Sequence, residues 1–147
     1  MTGLSLAQAL AAVDAARAEA ERLGVALGIA VVDAAGHPVV VARMDGAIFL
    51  APELALKKAF TAAAFRRPTS AIAPRLTTSD FWMQAPAVAQ GRLLASGGGV
   101  PLLVDGTLVG AVGTSGGTSE QDDLCAQAAA AAVAAGDGRA ATGGDGR

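Results

Sequence analysis

The sequence predicts an α+β domain, one antiparallel sheet with helices packed on it, from three observations. Apolar residues recur at three- and four-residue spacing in the first part of the chain; two pairs of short apolar runs are each joined by a tight turn; and the two hairpins flank a helical middle. Hairpins make antiparallel neighbours directly, whereas a doubly wound parallel sheet needs a crossover helix between successive strands.

The elements follow in order. Ser5 and Gln8 form a capping box, after which Leu6, Leu10, Val13, Ala16, Ala20 and Leu23 share one helical face until Gly24 ends it. Val25 to Asp33 is an apolar run of strand length, Ala34 to His37 has turn chemistry, and Pro38 to Arg43 carries β-branched Val39, Val40 and Val41. Met44 to Ala47 breaks the strand. Pro52 suits the first turn of a helix, where its missing N–H is not needed, and that helix runs from about Ala51 to Phe65, before Pro68.

Thr69 to Gly91 reads as a loop with one or two short helical turns, and Arg92 to Ser96 as a short strand. Asp105-Gly106 joins Val100–Val104 to Thr107–Gly113 and supplies the positive φ angles of a type I′ turn. A final helix begins at Ser119, with Asp122 at the capping-box position, and ends at Ala135. Residues 1–135 thus form one domain, and Gly136 to Arg147, rich in glycine and lacking periodicity, reads as a disordered tail.

Composition narrows the function. With one cysteine and one histidine, zinc sites built from several such ligands within the chain are excluded. A net charge of -2 without a Lys/Arg cluster argues against nucleic-acid binding. Charges at Asp14, Arg17, Asp33, Arg43 and Lys57 interrupt the apolar segments, so no membrane span is expected. The N-terminal segment lacks the basic and apolar regions of a secretory leader, and a cytoplasmic protein is expected. Mean hydropathy is +0.46 and the surplus is alanine and valine, consistent with subunit interfaces of close backbone approach or with a plain alanine bias.

The glycine-rich stretch Gly113 to Ser119 ends at a helix start, where free N–H groups favour an anion such as a carboxylate, a propionate or a phosphate. The alternative is a tight turn capped by Ser119. His37 could ligate haem iron or a divalent metal, or be an exposed turn residue. Met44, Met83 and Cys125 are other conceivable soft ligands, although methionines are more often packing residues and Cys125, between Leu124 and Ala126, more often a small buried hydrophobe. Lys58 lies in an otherwise apolar helical segment, Ala55 to Ala64, and a lysine entering such a site takes an anionic partner; Asp122 or the Ser119 helix start could supply one. Arg43 and Asp45 could form a surface ion pair.

As a set, Ala30–His37, Arg43–Ala47, Lys58–Ala62, Gly97–Leu102, Asp105-Gly106, Val109–Gly117 and Gln121-Asp122 resemble the GlcG/HbpS family, which includes the C-terminal domain of PduO-type corrinoid adenosyltransferases. The resemblance covers about residues 4 to 135. It implies a profilin-like fold, assembly into homo-oligomers and, in some members, haem binding. On that basis the leading expectation is a cytoplasmic small-ligand protein that binds haem. His37 is its candidate metal ligand, Ser115, Gly116 and Gly117 hold an anionic group, and Arg43 or Lys58 is the cationic partner. The alternatives are an enzyme on a small carboxylate or ring metabolite, with Lys58 or Asp122 as acid or base, and a non-catalytic assembly partner.

Overall fold

In a computed structural model, residues 3–142 are described, with side chains to residue 136. The first helix, α1 (Leu6–Leu23), starts at the expected capping box. Ser5 Oγ accepts from the Gln8 N–H at 3.0 Å, and Gln8 Oε1 accepts from the Ser5 N–H at 2.8 Å. Gly24 closes the helix at φ +74, a conformation glycine adopts without a Cβ penalty.

The strands β1 (Gly28–Asp33) and β2 (Pro38–Arg43) form the first hairpin, and α2 (Ala51–Phe65) follows over the predicted span. Beyond it lie α3 (Thr69–Ile72), a 3-10 turn (Ala73–Arg75) and α4 (Asp80–Val88). At nine residues α4 is a fuller helix than the short turns expected there. The second hairpin is β3 (Gly99–Val104) and β4 (Thr107–Ser115), turned by Asp105 at φ +49 and Gly106 at φ +76. Then comes α5 (Ser119–Thr142), which passes the expected end at Ala135; residues 143–147 of the expected tail lie outside the described residues.

All four strands are antiparallel in the order β2-β1-β4-β3, so the hairpins stand side by side and join through their inner strands. Among the described residues this is a four-stranded sheet with five helices, the α+β architecture the sequence predicted. Ile29, Val31, Leu102 and Val112 face α1 and α5, while the alternate positions Val32 and Ala111 face α2. The first layer is built largely of alanine: Ala9, Ala12, Ala16 and Ala20 of α1 and Ala126 and Ala129 of α5 are fully buried. On the other face, Gly113 lets α2 rest on the sheet, because a Cβ there would strike the Ala55 carbonyl and the Ala59 nitrogen. A third cluster, Ile72, Trp82 and Ala85, packs with Phe65, Leu76 and Leu93. Among the described residues no helix is long and apolar enough to cross a membrane.

Three local expectations are corrected. Arg92 to Ser96 is not a strand: the Leu94 N–H donates to Thr61 Oγ1 and the Ser96 carbonyl accepts from Thr69 Oγ1, so side-chain hydroxyls take the groups a ladder would need. The first strand begins at Gly28, not Val25, because the Leu27 carbonyl accepts the Met44 N–H where the hairpin ends. The capping box of α5 is Thr118 with Gln121, one residue earlier than predicted, which frees the Asp122 side chain for another role.

Candidate functional site

The lysine that the sequence singled out crosses the end of the sheet. From α2, Lys58 Nζ donates to Asp122 Oδ2 and to the Thr114 carbonyl, each at 3.0 Å. Asp122 Oδ1 accepts from the Gly117 N–H at 2.8 Å, and Thr114 Oγ1 donates to the Asp122 carbonyl at 2.6 Å. The two side chains are 5% and 4% exposed. Gly98, at φ +122, makes the passage, since a Cβ there would lie 3.2 Å from Lys58 Nζ and against the Thr114 carbonyl. Two helices on opposite faces are thereby tied by one hydrogen-bonded ion pair.

This arrangement also fills the anion position expected at the α5 start. The Gly117 and Thr118 N–H groups donate to the Asp122 carboxylate and the Gln121 amide, so the helix carries its own anion. Ser115 is buried and paired in register with Gly28, whose other partner is Arg43. Arg43 is exposed and lines a cleft of about 390 Å³ with Arg17, Glu21, Met44 and Asp45.

His37 lies at the other end of β1. It is 78% exposed, with Nδ1 3.6 Å from Asp33 Oδ2, and Asp33 Oδ1 shapes the turn by accepting from the Ala35 and His37 N–H groups. A six-residue strand spans about 17 Å, so His37 and the Ser115–Gly117 turn sit at opposite ends of the sheet and do not form one site. Among the described residues no group of three His, Cys, Asp or Glu could hold a metal ion. The other soft candidates are placed apart: Met44 Sδ accepts from the Leu27 N–H at 3.3 Å, Met83 is exposed, and Cys125 is buried. Burial pushes the Cys125 thiol up to about 11, and the charges of Glu19 and Asp122 add to the shift.

What the sequence did not reveal is the surface beside His37. A cleft of about 290 Å³ is lined by Gly36, His37, Glu53, Lys57, Phe60 and Arg92. A second, of about 510 Å³, lies between α2 and α4 and is lined by Phe60, Phe65, Phe81, Val88, Arg92 and Leu93. The two share Phe60 and Arg92. Trp82 packs behind, tilted against Phe65 with centroids 4.5 Å apart and edge-to-face with Phe81 at 5.1 Å. Four of the chain's five aromatic residues therefore gather at one surface, next to its single histidine. The scarcity of aromatics was the only signal available, and their spacing along the chain gives no hint that they meet.

Fold and cleft define a small α+β domain with an apolar, aromatic-lined surface cleft. The family described as "Haem degrading protein HbpS-like" matches residues 4–131, and the chain belongs to that family. Among curated relatives, an uncharacterized 15.0 kDa protein from Citrobacter freundii is 35% identical over 86% of this chain and 89% of its own length. The corrinoid adenosyltransferase PduO of Salmonella typhimurium is 38% identical over 81% of this chain, which spans 35% of that protein. Among solved structures, Klebsiella pneumoniae protein ORFY superposes with a TM-score of 0.84 at 32% identity, covering 90% of this chain and 91% of its own. The PduOC:heme complex gives a TM-score of 0.81 at 36% identity, with coverage of 88% and 94%.

Proposed function

We propose that this chain is a cytoplasmic haem-binding protein, and that haem occupies the paired clefts beside His37. The observation that carries the reading is the gathering of Phe60, Phe65, Phe81 and Trp82 at a surface bordered by the only imidazole. The donor set suits the group. His37 would supply an imidazole nitrogen to the iron, with Asp33 3.6 Å from its Nδ1, the aromatic rings would suit a flat apolar macrocycle, and Lys57 and Arg92 would stand near its propionates. The related PduOC domain, crystallised as a heme complex, supports the choice of ligand.

Bound haem supplies a redox-active iron, and the chain's residues supply its setting. His37 would hold the group from the β1–β2 turn, and the apolar lining that includes Phe65 and Phe81 would exclude water around it. Titrating hemin into purified protein should give a saturable Soret band at one equivalent and quench Trp82, the sole tryptophan. His37→Ala should shift that band while leaving the far-ultraviolet circular dichroism unchanged. Absence of a saturable band at micromolar protein would overturn the proposal.

A further inference from the structure

We infer that Arg92 is the carboxylate anchor of the paired clefts, so that the ligand taken is an apolar, flat body carrying at least one free carboxylate. The inference rests on the cleft assignment above. It starts from charge: of the residues lining the cleft between α2 and α4, Arg92 is the only charged one. The sole amide there, Gln84, already donates its Nε2 to the Asp80 carbonyl at 3.1 Å. An apolar body entering this cleft therefore meets one formal charge, and it is positive.

The guanidinium is also held in place. Arg92 Nε donates to the Ala89 carbonyl at 2.8 Å, just past the end of α4, and Cζ stands 4.6 Å from the centroid of the Phe60 ring. The cation–π contact and the Ala89 bond together hold the guanidinium beside Phe60, and the terminal N–H groups have no acceptor among the described residues. A planar fork with one nitrogen tied back and the others free is the arrangement that receives a carboxylate through two parallel hydrogen bonds. Because Phe60 and Arg92 border both clefts, the anchor sits where an apolar body lying on the rings would bring its acidic edge. In the His37 cleft Lys57 adds a second cation, but Glu53 faces the same space and offsets it.

The test compares hemin, iron-free protoporphyrin IX and protoporphyrin IX dimethyl ester, read by quenching of Trp82, with the wild type, Arg92→Met and Arg92→Lys. Arg92 is exposed and Met retains a stem to cover Phe60, so thermal unfolding should be unchanged and fold loss is separable from binding. The wild type should prefer free acid to ester by on the order of tenfold, as expected for a partly exposed charge-assisted pair. Arg92→Met should abolish that preference by weakening the acids alone, and Arg92→Lys should keep part of it. Equal wild-type affinity for acid and ester, or a preference that survives Arg92→Met, would overturn the anchor while leaving the cleft intact. Failure of all three porphyrins to bind the wild type would instead refute the cleft assignment and the anchor with it.

Discussion

Replacing Lys58 by Met leaves the Asp122 carboxylate in a site 4% exposed, with the Gly117 N–H as its remaining recorded donor, and strips the Thr114 carbonyl of the Nζ donor. Removing one member of a buried ion pair costs about 3–5 kcal/mol, because the surviving charge is left without compensation. Unfolding entropy scales with chain length, so for 147 residues this corresponds to a fall in melting temperature of about 10–16 °C. Thermal unfolding followed by circular dichroism measures it directly, with Lys57→Met, a half-buried neighbour outside the pair, as the control. Asp122→Leu should be comparably destabilising. The double variant Lys58→Met/Asp122→Leu should lose less than the sum of the two, a coupling of about 2 kcal/mol or more. If Lys58→Met melts within about 3 °C of the wild type, well inside the shift that scaling requires, the pair is not a structural tie. A Lys58 variant that folds normally yet loses its ligand would support the role of cationic partner expected from the sequence.

Three further outcomes are expected. Cys125 should resist alkylation at pH 8 in the folded protein and react on unfolding. Because its folded pKa is raised from 9.0 to about 11, the unfolded state sheds its proton first, so the Cys125 contribution to stability should be constant below pH 9 and be lost between pH 9 and 11; rapid native-state alkylation would contradict this. Ser5→Ala removes the hydroxyl that accepts from the Gln8 N–H and should cost about 1 kcal/mol in denaturant unfolding; no change would show that the cap is dispensable. Ile48, Phe49 and Leu50 form an exposed apolar run, with Phe49 83% exposed, so light scattering at tens of micromolar should give at least twice 14.3 kDa; a monomer would refute self-association.

Where the deciding interactions are local, the sequence was legible. The bounds of α1 and α2 follow from Ser5, Gln8, Gly24, Pro52 and Pro68, and the second hairpin from Asp105-Gly106, because caps and positive-φ turns act within four or five residues. The Lys58–Asp122 contact was half legible: a lysine among alanines demands an anion, but the choice of Asp122 depends on two helices meeting past a sheet edge. Arg92 to Ser96 was misread because Thr61 and Thr69, distant in sequence, claim its backbone groups. The aromatic surface was illegible, since Phe60, Phe65, Phe81 and Trp82 meet only after α4 folds back on α2.

The alanine layer between α1, α5 and the sheet changes how this core can be probed. Most cores are mapped by truncation to alanine, with the missing atoms measuring what each side chain contributed. At Ala9, Ala12, Ala16, Ala20, Ala126 and Ala129 there is nothing to truncate, and such a scan would be silent across much of this fully buried layer. The informative series climbs in size, through serine and valine to leucine, because each added methylene must force the helix away from its neighbour. Tolerance here has a ceiling set by volume where an ordinary core has a floor.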